Sequence, residues 1–471
     1  MNIIHYFLGF PPLHNGGLMI YARDLAKEQA KMGHNVKMLM PGELRSSNCK
    51  SKIKFFAYEE GLPVYKIVNP QPVSFSGVYD PDEFIKPRND NNYREFFSKH
   101  AVAVLHVHSL IGFPKELLDE AKMLGIKTVF TTHDYYGLCP KIQFYSYNHS
   151  QCEDYKNGQE CVICNRSATK KALYRRNLYF CEFYKPLRNT YRSVKKILPN
   201  GKKLDSNRKK LDFEIGMLNN RQNDPVCLAD EKKAQGFVRF RKYYQNILEN
   251  FDIILFNSNV TKKEYSKYVN LNKTKSYVLH VTHSNIKDHR SEIEYSCRKN
   301  GKVVILYMGY LSPAKGFFDL ISVLNEMKNE FTNWELHVYG DHSAINVDAL
   351  NKDFFKFHGP YSYGNLKEIF SNSSVLVMPS KCKETFGFIG LEAYSYGIPA
   401  IASENVGFSD LIETGVNGIV YKESIDNGFL RKEIEKILNN PMVLANYNRS
   451  ILKKDLSLDI ADHCRSVLEH Y

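Results

Sequence analysis

The chain contains no apolar run approaching the ~18 residues that a membrane-spanning helix requires, so it is not expected to cross a membrane. The first residues do not read as an export signal either. Residues 1–12 are apolar, but no basic segment and no small-residue cleavage site flanks them, and Ile3–Phe10 reads as a first buried strand. A cytoplasmic protein is the expectation, with its ten cysteines as thiols or metal ligands rather than disulfides. There is no low-complexity tract and no repeat beyond two similar halves. Most of the chain has no charge excess either. The net charge is +13, yet residues 166–210 hold fifteen Lys and Arg against Glu182 and Asp205, which leaves 49 of each sign elsewhere. Tyr174, Tyr179, Phe180, Phe183, Tyr184 and Tyr191 interleave with that basic run. Such a stretch can lie on an anionic membrane surface, bind nucleic acid, or form a solvated helical insertion.

What is present fits a soluble globular chain with 43% hydrophobic and 24% charged residues. At 471 residues it is too long for one ordinary core, since chains divide beyond roughly 250–300 residues. Two domains are expected. The first part alternates strand-like and helix-like segments: Ile3–Phe10, then helical Met19–Lys31 stopped by Gly33, then Asn35–Met40. Ala101–His108 and Lys127–Thr132 are strand-like, with helical Pro114–Leu124 between them. Residues 135–245, rich in Tyr, Asn, Lys, Arg and Cys, break the rhythm and read as an insertion. Ile253–Asn257 and Val260–Tyr268 resume it, and polar residues 285–300 read as a linker. A second series follows: Val303–Met308, Phe317–Met327, Trp334–Tyr339, Lys367–Phe370, Ser374–Met378, Gly387–Tyr396 and Ala400–Ala402, before a helical, charged end. This alternation predicts parallel sheets covered by helices.

The strongest chemical signal is the run from Pro379 to Ala393, followed by Tyr396-Gly397-Ile398-Pro399-Ala400. An apolar strand, Val375–Met378, enters a loop carrying Glu384, and a turn at Gly387 opens a helix. Free N–H groups and the dipole at a helix start attract anions, and glycine lets a phosphate come close. Glu384 and Glu392 lie eight residues apart; on one helix they would stand about 80° out of line. With Glu384 in the loop and Glu392 in the helix, they can grip opposite ends of one ligand. Carboxylates accept from sugar hydroxyls, so the block suits a diphosphate set between two polyols.

This block resembles the E-x7-E region of the retaining glycosyltransferases of family 4. The resemblance covers about 1–140 and 250–430. It implies an α/β, GT-B fold, with two Rossmann-like domains facing a central cleft. The implied organisation is an acceptor-side domain over 1–285 with a Cys-containing, basic insertion at about 141–250. A nucleotide-sugar domain over 300–440 would follow, and helices over 441–471 would pack back on the first domain. It further implies that Glu384 contacts the transferred sugar, that the backbone of Phe386, Gly387, Phe388 and Ile389 meets the diphosphate, and that Glu392 holds the ribose.

Gly309-Tyr310-Leu311-Ser312-Pro313-Ala314-Lys315-Gly316 resembles the family's G-R-L-x-x-x-K-G loop, with Lys315 neutralising the leaving diphosphate. Tyr310 stands where the family commonly has arginine, which removes a bidentate phosphate contact. Pro12-Leu13-His14-Asn15-Gly16-Gly17 sits at a strand–helix junction, where paired glycines form an anion-approaching loop, and the resemblance implies that Gly16 and Gly17 close on the donor phosphates and the acceptor. Thr131-Thr132-His133-Asp134 ends a strand and resembles the family's H-D motif, which places His133 beside the sugar, touching its 6-position oxygen or bringing a backbone carbonyl to the reaction centre. His106 and His108 are weaker candidates, for the core or a supporting layer.

Cys139, Cys152, Cys161 and Cys164 form a cluster ending in C-x2-C that suits structural zinc, with ordinary free thiols as the alternative. No D-x-D metal site is evident, so no cofactor is expected for catalysis. The expected enzyme is a metal-independent, retaining hexosyltransferase. Its donor would be a UDP- or GDP-sugar and its acceptor a glycan or lipid-linked glycan, in surface polysaccharide or glycoconjugate synthesis. It would work in the cytoplasm, peripheral at an anionic inner membrane face, and nucleic acid is the disfavoured partner. The alternatives are a nucleotide-sugar hydrolase or epimerase of the same fold, or a non-catalytic membrane- or nucleic-acid-binding protein acting through 166–210.

Overall fold

The computed structural model describes residues 1–10, 16–45, 50–74, 77–180, 230–343, 345–347, 350–423 and 426–471. Pro12, Leu13, His14 and Asn15, and residues 181–210 of the basic segment, therefore lie outside the described residues.

The first half runs β1 (Asn2–Tyr6), α1 (Gly17–Lys31), β2 (Asn35–Pro41), β3 (Lys52–Glu59), β4 (Leu62–Val68), α2 (Tyr93–Lys99), β5 (Val104–Val107) and α3 (Lys115–Met123). It continues through β6 (Lys127–Thr131), α4 (Gln159–Cys164), α5 (Lys171–Phe180), α6 (Glu231–Leu248), β7 (Ile253–Phe256), α7 (Asn259–Ser266) and β8 (Lys275–Val278). Its eight strands form one sheet in the order β3-β4-β2-β1-β5-β6-β7-β8, parallel throughout except for the β3–β4 hairpin.

The second half contains β9 (Val303–Met308), α8 (Phe317–Met327), β10 (Trp334–Tyr339), β11 (Phe355–Gly359), α9 (Leu366–Ser371) and β12 (Val375–Met378). After these come α10 (Phe388–Ser395), β13 (Ala400–Ser403), β14 (Gly418–Tyr421), α11 (Gly428–Asn439), α12 (Met442–Lys453) and α13 (Ile460–Leu468). Its six strands form an all-parallel sheet, β11-β10-β9-β12-β13-β14.

Strands such as Val303–Met308 and Val375–Met378 are buried along their whole length, because helices cover both faces of a parallel sheet. In each sheet the chain first builds outward on one side and then returns to the other. The reversal falls between β1 and β5 in the first sheet and between β9 and β12 in the second. Ligands of open α/β sheets sit beyond the carboxyl ends of the strands at such reversals. The loops leaving β1, β9 and β12 are those that carry Gly16–Gly17, Lys315 and Glu384.

Several elements were hidden from sequence reading. The hairpin β3–β4 and the strands β8 and β11 have mixed polar patterns because they lie at or near the sheet edges, whereas the apolar β14 is only four residues long. The expected insertion also runs too far. Residues 231–248 are α6, an amphipathic helix that buries Phe237, Phe240, Tyr244, Ile247 and Leu248 in the first core. Its apolar stripe is masked by the Lys, Arg and Tyr on the opposite face. Among the described residues no helix is long and apolar enough to cross a membrane.

The last helix packs on α1 through a buried polar chain. Tyr21 OH meets His463 Nε2 at 2.8 Å, and Gln29 Nε2 donates to Tyr471 OH at 3.0 Å. Gln29 Oε1 bonds His5 Nε2 at 2.8 Å, and His5 Nδ1 bonds His108 Nε2 at 2.9 Å. His106 bridges Tyr471 OH and Thr131 Oγ1. With the Gln29 amide so oriented, His5 donates to Gln29 and accepts from His108, so both rings are neutral. Burial pushes His5 and His463 down to about 4 and His106 and His108 well below their usual range.

These depressed values carry a pH dependence. In the unfolded chain the same imidazoles take up protons below about 6.5, whereas the folded chain refuses them until far lower pH. Stability is therefore whole above pH 6.5 and is lost as pH falls toward 4. Each fully expressed shift is worth on the order of 3 kcal/mol. Thermal melts are expected to drop steeply between pH 6.5 and 4.5, and a flat profile would contradict the neutral network.

Candidate active site

A cleft of about 640 Å3 lies between the two sheets' carboxyl ends. That volume suits a nucleotide-sized ligand. Gly16, Gly17, His133, Gly309, Lys315, Glu384, Phe386, Gly387, Phe388, Ile389 and Glu392 all line it.

Lys315 and Glu384 meet at the centre. Lys315 Nζ lies 2.9 Å from Glu384 Oε2, and Ser380 Oγ donates to Glu384 Oε1. Burial alone would lower the Lys315 ammonium, but the Glu384 carboxylate outweighs it and holds the group above its ordinary range. The loop carrying Glu384 is fixed by its backbone: Glu384 N donates to Asn405 O at 2.9 Å and Gly407 N donates to Glu384 O at 3.0 Å. Helix α10 then starts at Phe388, after Gly387 at φ 96°, a left-handed conformation that a side chain resists. The first two residues of the helix, Phe388 and Ile389, whose N–H groups precede the first intrahelical bond, line the cleft with Lys315. Gly17 packs so closely on this helix start that a Cβ there would stand 2.7 Å from the Phe388 ring. A side chain at Gly17 would therefore have to displace the Phe388 ring at the start of α10.

Glu392 occupies the next turn of α10 and is 4% exposed. Its Oε1 lies 3.5 Å from His283 Nε2, while its Oε2 is buried and carries no hydrogen bond. A buried carboxylate oxygen without a donor is costly, and a ligand hydroxyl would satisfy it. Nothing in sequence periodicity marks His283. It follows β8 in an irregular stretch, and only packing against Phe388 and Tyr363 brings it to Glu392.

The loop after β6 seals the cleft from the other side. Thr385 Oγ1 donates to His133 O at 3.1 Å, and Lys383 N donates to Gln143 O at 3.1 Å. Ser258 and Thr261 of the α7 start donate to Thr385 O at 2.7 and 2.9 Å. The carbonyl of His133 is thus engaged by Thr385, and its imidazole packs 4.8 Å from the Tyr21 ring with Nε2 buried and unpartnered. Burial holds that imidazole down to about 3, so it is neutral at physiological pH. Burial pushes the adjacent Asp134 up to about 6, with Ser109 Oγ and Tyr136 N donating to it.

Tyr310, in place of the family's usual arginine, is 75% exposed, and its carbonyl accepts from Tyr307 OH. Lys383 is a second cation on the cleft wall, with Nζ 2.8 Å from Asn405 Oδ1 and its ammonium lowered by burial. Sequence reading passed over it because a lone lysine in a loop has no pattern.

Cys139, Cys152, Cys161 and Cys164 converge on a separate small pocket beside Arg241. His5, His106 and His108 bring ring nitrogens within 4.8 Å of one another. Five of their six ring nitrogens are already engaged in directed hydrogen bonds with Gln29, Thr131, Tyr471 and one another.

Comparison with known proteins agrees with this architecture. The model for group 1 glycosyl transferases matches residues 290–454, and the model for glycosyltransferase family 4 matches residues 15–180. The chain belongs to the family 4, group 1 glycosyltransferases, and its fold is GT-B, two Rossmann-like domains facing a cleft. It is 26% identical over 206 residues to an uncharacterized 41.2 kDa protein in the cps region of Klebsiella pneumoniae, which is 42% of this chain and 55% of that protein. It is 24% identical over 149 residues to the lipopolysaccharide 1,2-N-acetylglucosaminetransferase of Salmonella typhimurium, 29% of this chain and 39% of that one. The matched stretches thus span about half or less of these relatives. The HepE protein of Anabaena, solved in complex with UDP-glucose, superposes with a TM-score of 0.52 at 13% identity, over 100% of this chain and 98% of that chain. At that identity the likeness is one of fold.

Proposed function

We propose that this protein transfers a hexosyl group from a UDP- or GDP-sugar to a glycan or lipid-linked glycan, with retention at the anomeric carbon, in surface polysaccharide or glycoconjugate synthesis. The observation that carries the reading is the Lys315–Glu384 pair set at the open start of α10, with the unpartnered Oε2 of Glu392 one turn further on. In this reading Glu384 accepts from hydroxyls of the transferred sugar. The backbone of Phe386–Ile389 and the loops at Gly16, Gly17 and Gly309 surround the diphosphate, and Glu392 accepts from the ribose.

The bond from anomeric carbon to diphosphate oxygen breaks as the acceptor oxygen bonds that carbon, and the acceptor's proton passes to the departing phosphate oxygen. Lys315 and the α10 dipole meet the charge that develops there, so no divalent cation is required. Lys383 is the cation that compensates for Tyr310. His133 lies beside the sugar and acts through its neutral imidazole. Contacts from Thr385 and Lys383 to the first domain keep water out. The Salmonella relative, a lipopolysaccharide glycosyltransferase, supports the polysaccharide setting, and the Anabaena complex supports the donor class. Peripheral attachment at an anionic membrane face rests on the basic sequence and on α5, where Tyr174 and Leu178 stand 60% and 48% exposed.

Incubation with nucleotide sugars and lipid-extracted acceptors, read by NMR at the anomeric centre, tests the reaction. A product with the donor's anomeric configuration is expected. An inverted product, or free sugar released with no transfer, would overturn the proposal.

A further inference from the structure

Arg241 of α6 is 2% exposed and has no carboxylate partner among the described residues. Its guanidinium lies 4.1 Å from the centre of the Tyr155 ring. Nη2 donates to Cys161 Sγ at 3.5 Å, while Nε and Nη1 are buried with no hydrogen bond. A fully buried charge of this kind is strongly destabilising unless something of opposite sign lies against it.

Around it lie four cysteines together with Lys141, Tyr145, Asn165 and Glu160, whose carboxylate is already paired with Lys156 Nζ at 2.7 Å. Cys139 comes from the loop after β6, Cys152 from the next loop, and Cys161 and Cys164 from one face of α4. All four line a cavity of about 10 Å3, together with Arg241. Neutral thiols, or disulfides made from them, would leave the guanidinium uncompensated. Four thiolates on one divalent ion carry a net charge of −2 and would compensate it. The cavity has room for a single ion and not for an iron–sulfur cluster.

We propose that Cys139, Cys152, Cys161 and Cys164 bind one zinc ion, with Arg241 as the buried counter-charge of the tetrathiolate. Binding forms four sulfur–zinc bonds and releases the four thiol protons to solvent. No three of the sulfurs lie within 4.8 Å of one another, and zinc would hold them about 3.8 Å apart. One rotation about a Cα–Cβ bond moves a sulfur by roughly 3 Å, which is enough to close the site. The ion takes no part in the chemistry. It ties α4 to the 139–144 loop, and that loop delivers Ile142 and Gln143 to the cleft and the Gln143 carbonyl to Lys383 N. The site thereby braces the wall against which the Glu384 loop closes.

Metal analysis of the purified full-length protein tests this. One zinc per chain is expected. The Cys161→Ser/Cys164→Ser double variant should fall to background, and Cys297→Ser should keep its zinc. Should the double variant fail to fold, cobalt(II) added to chelator-stripped native protein should give the intense charge-transfer and visible bands of a tetrahedral tetrathiolate. A folded protein that holds neither zinc nor cobalt there overturns the proposal, and so does one that holds iron with sulfide.

Discussion

Replacing Lys315 with alanine should slow sugar transfer by about 100- to 1000-fold, the loss seen when one preorganised charge-stabilising donor is removed from a closed site. Lys315 Nζ is held 2.9 Å from Glu384, and the proposed reading puts the developing charge of the leaving diphosphate beside it. A contact made chiefly in the transition state lowers kcat and kcat/KM together. Steady-state kinetics on the variant check this. A rise in KM with kcat unchanged would instead mark Lys315 as a simple ground-state anchor. The substitution also leaves Glu384 short of its counter-charge, so the melting temperature must be measured beside the rate.

Replacing Glu392 with alanine should weaken donor binding by about tenfold to hundredfold, the worth of hydrogen bonds to a charged group. Here the loss should appear in KM or Kd far more than in kcat, since ribose hydroxyls keep their bonds through the reaction. Glu392 is buried against His283, and truncation alone could disturb α10. Glu392→Gln keeps the shape and one acceptor, so it should retain the fold and lose less affinity. Equal donor affinity in both variants and the native protein would remove Glu392 from the ribose site.

Much of this site was legible in the sequence because its chemistry is local. The turn at Gly387 and the spacing from Glu384 to Glu392 fix a loop carboxylate, a helix start and a helix carboxylate within one short run. The central strands were equally plain, since Val303–Met308 and Val375–Met378 are buried on both sides and read as unbroken apolar runs. Long-range pairings were not legible. His283 reaches Glu392 across more than a hundred residues, and Thr385 reaches the His133 carbonyl across 252. Edge strands such as β11 carry the polar residues that edges need, which erases their pattern. Helix α6 was read as insertion because its solvated face dominates its composition.

The most direct measurement is the thermal stability of the purified protein against a panel of UDP-, GDP-, ADP- and dTDP-sugars, with Glu392→Ala alongside. One nucleotide class should stabilise the native protein, by about 2.7 kcal/mol at a hundred times its Kd, and at that concentration the variant should keep only about 0.4–1.4 kcal/mol of the gain. No stabilisation by any nucleotide sugar, or an equal gain in the variant, would contradict a donor held between Lys315, Glu384 and Glu392.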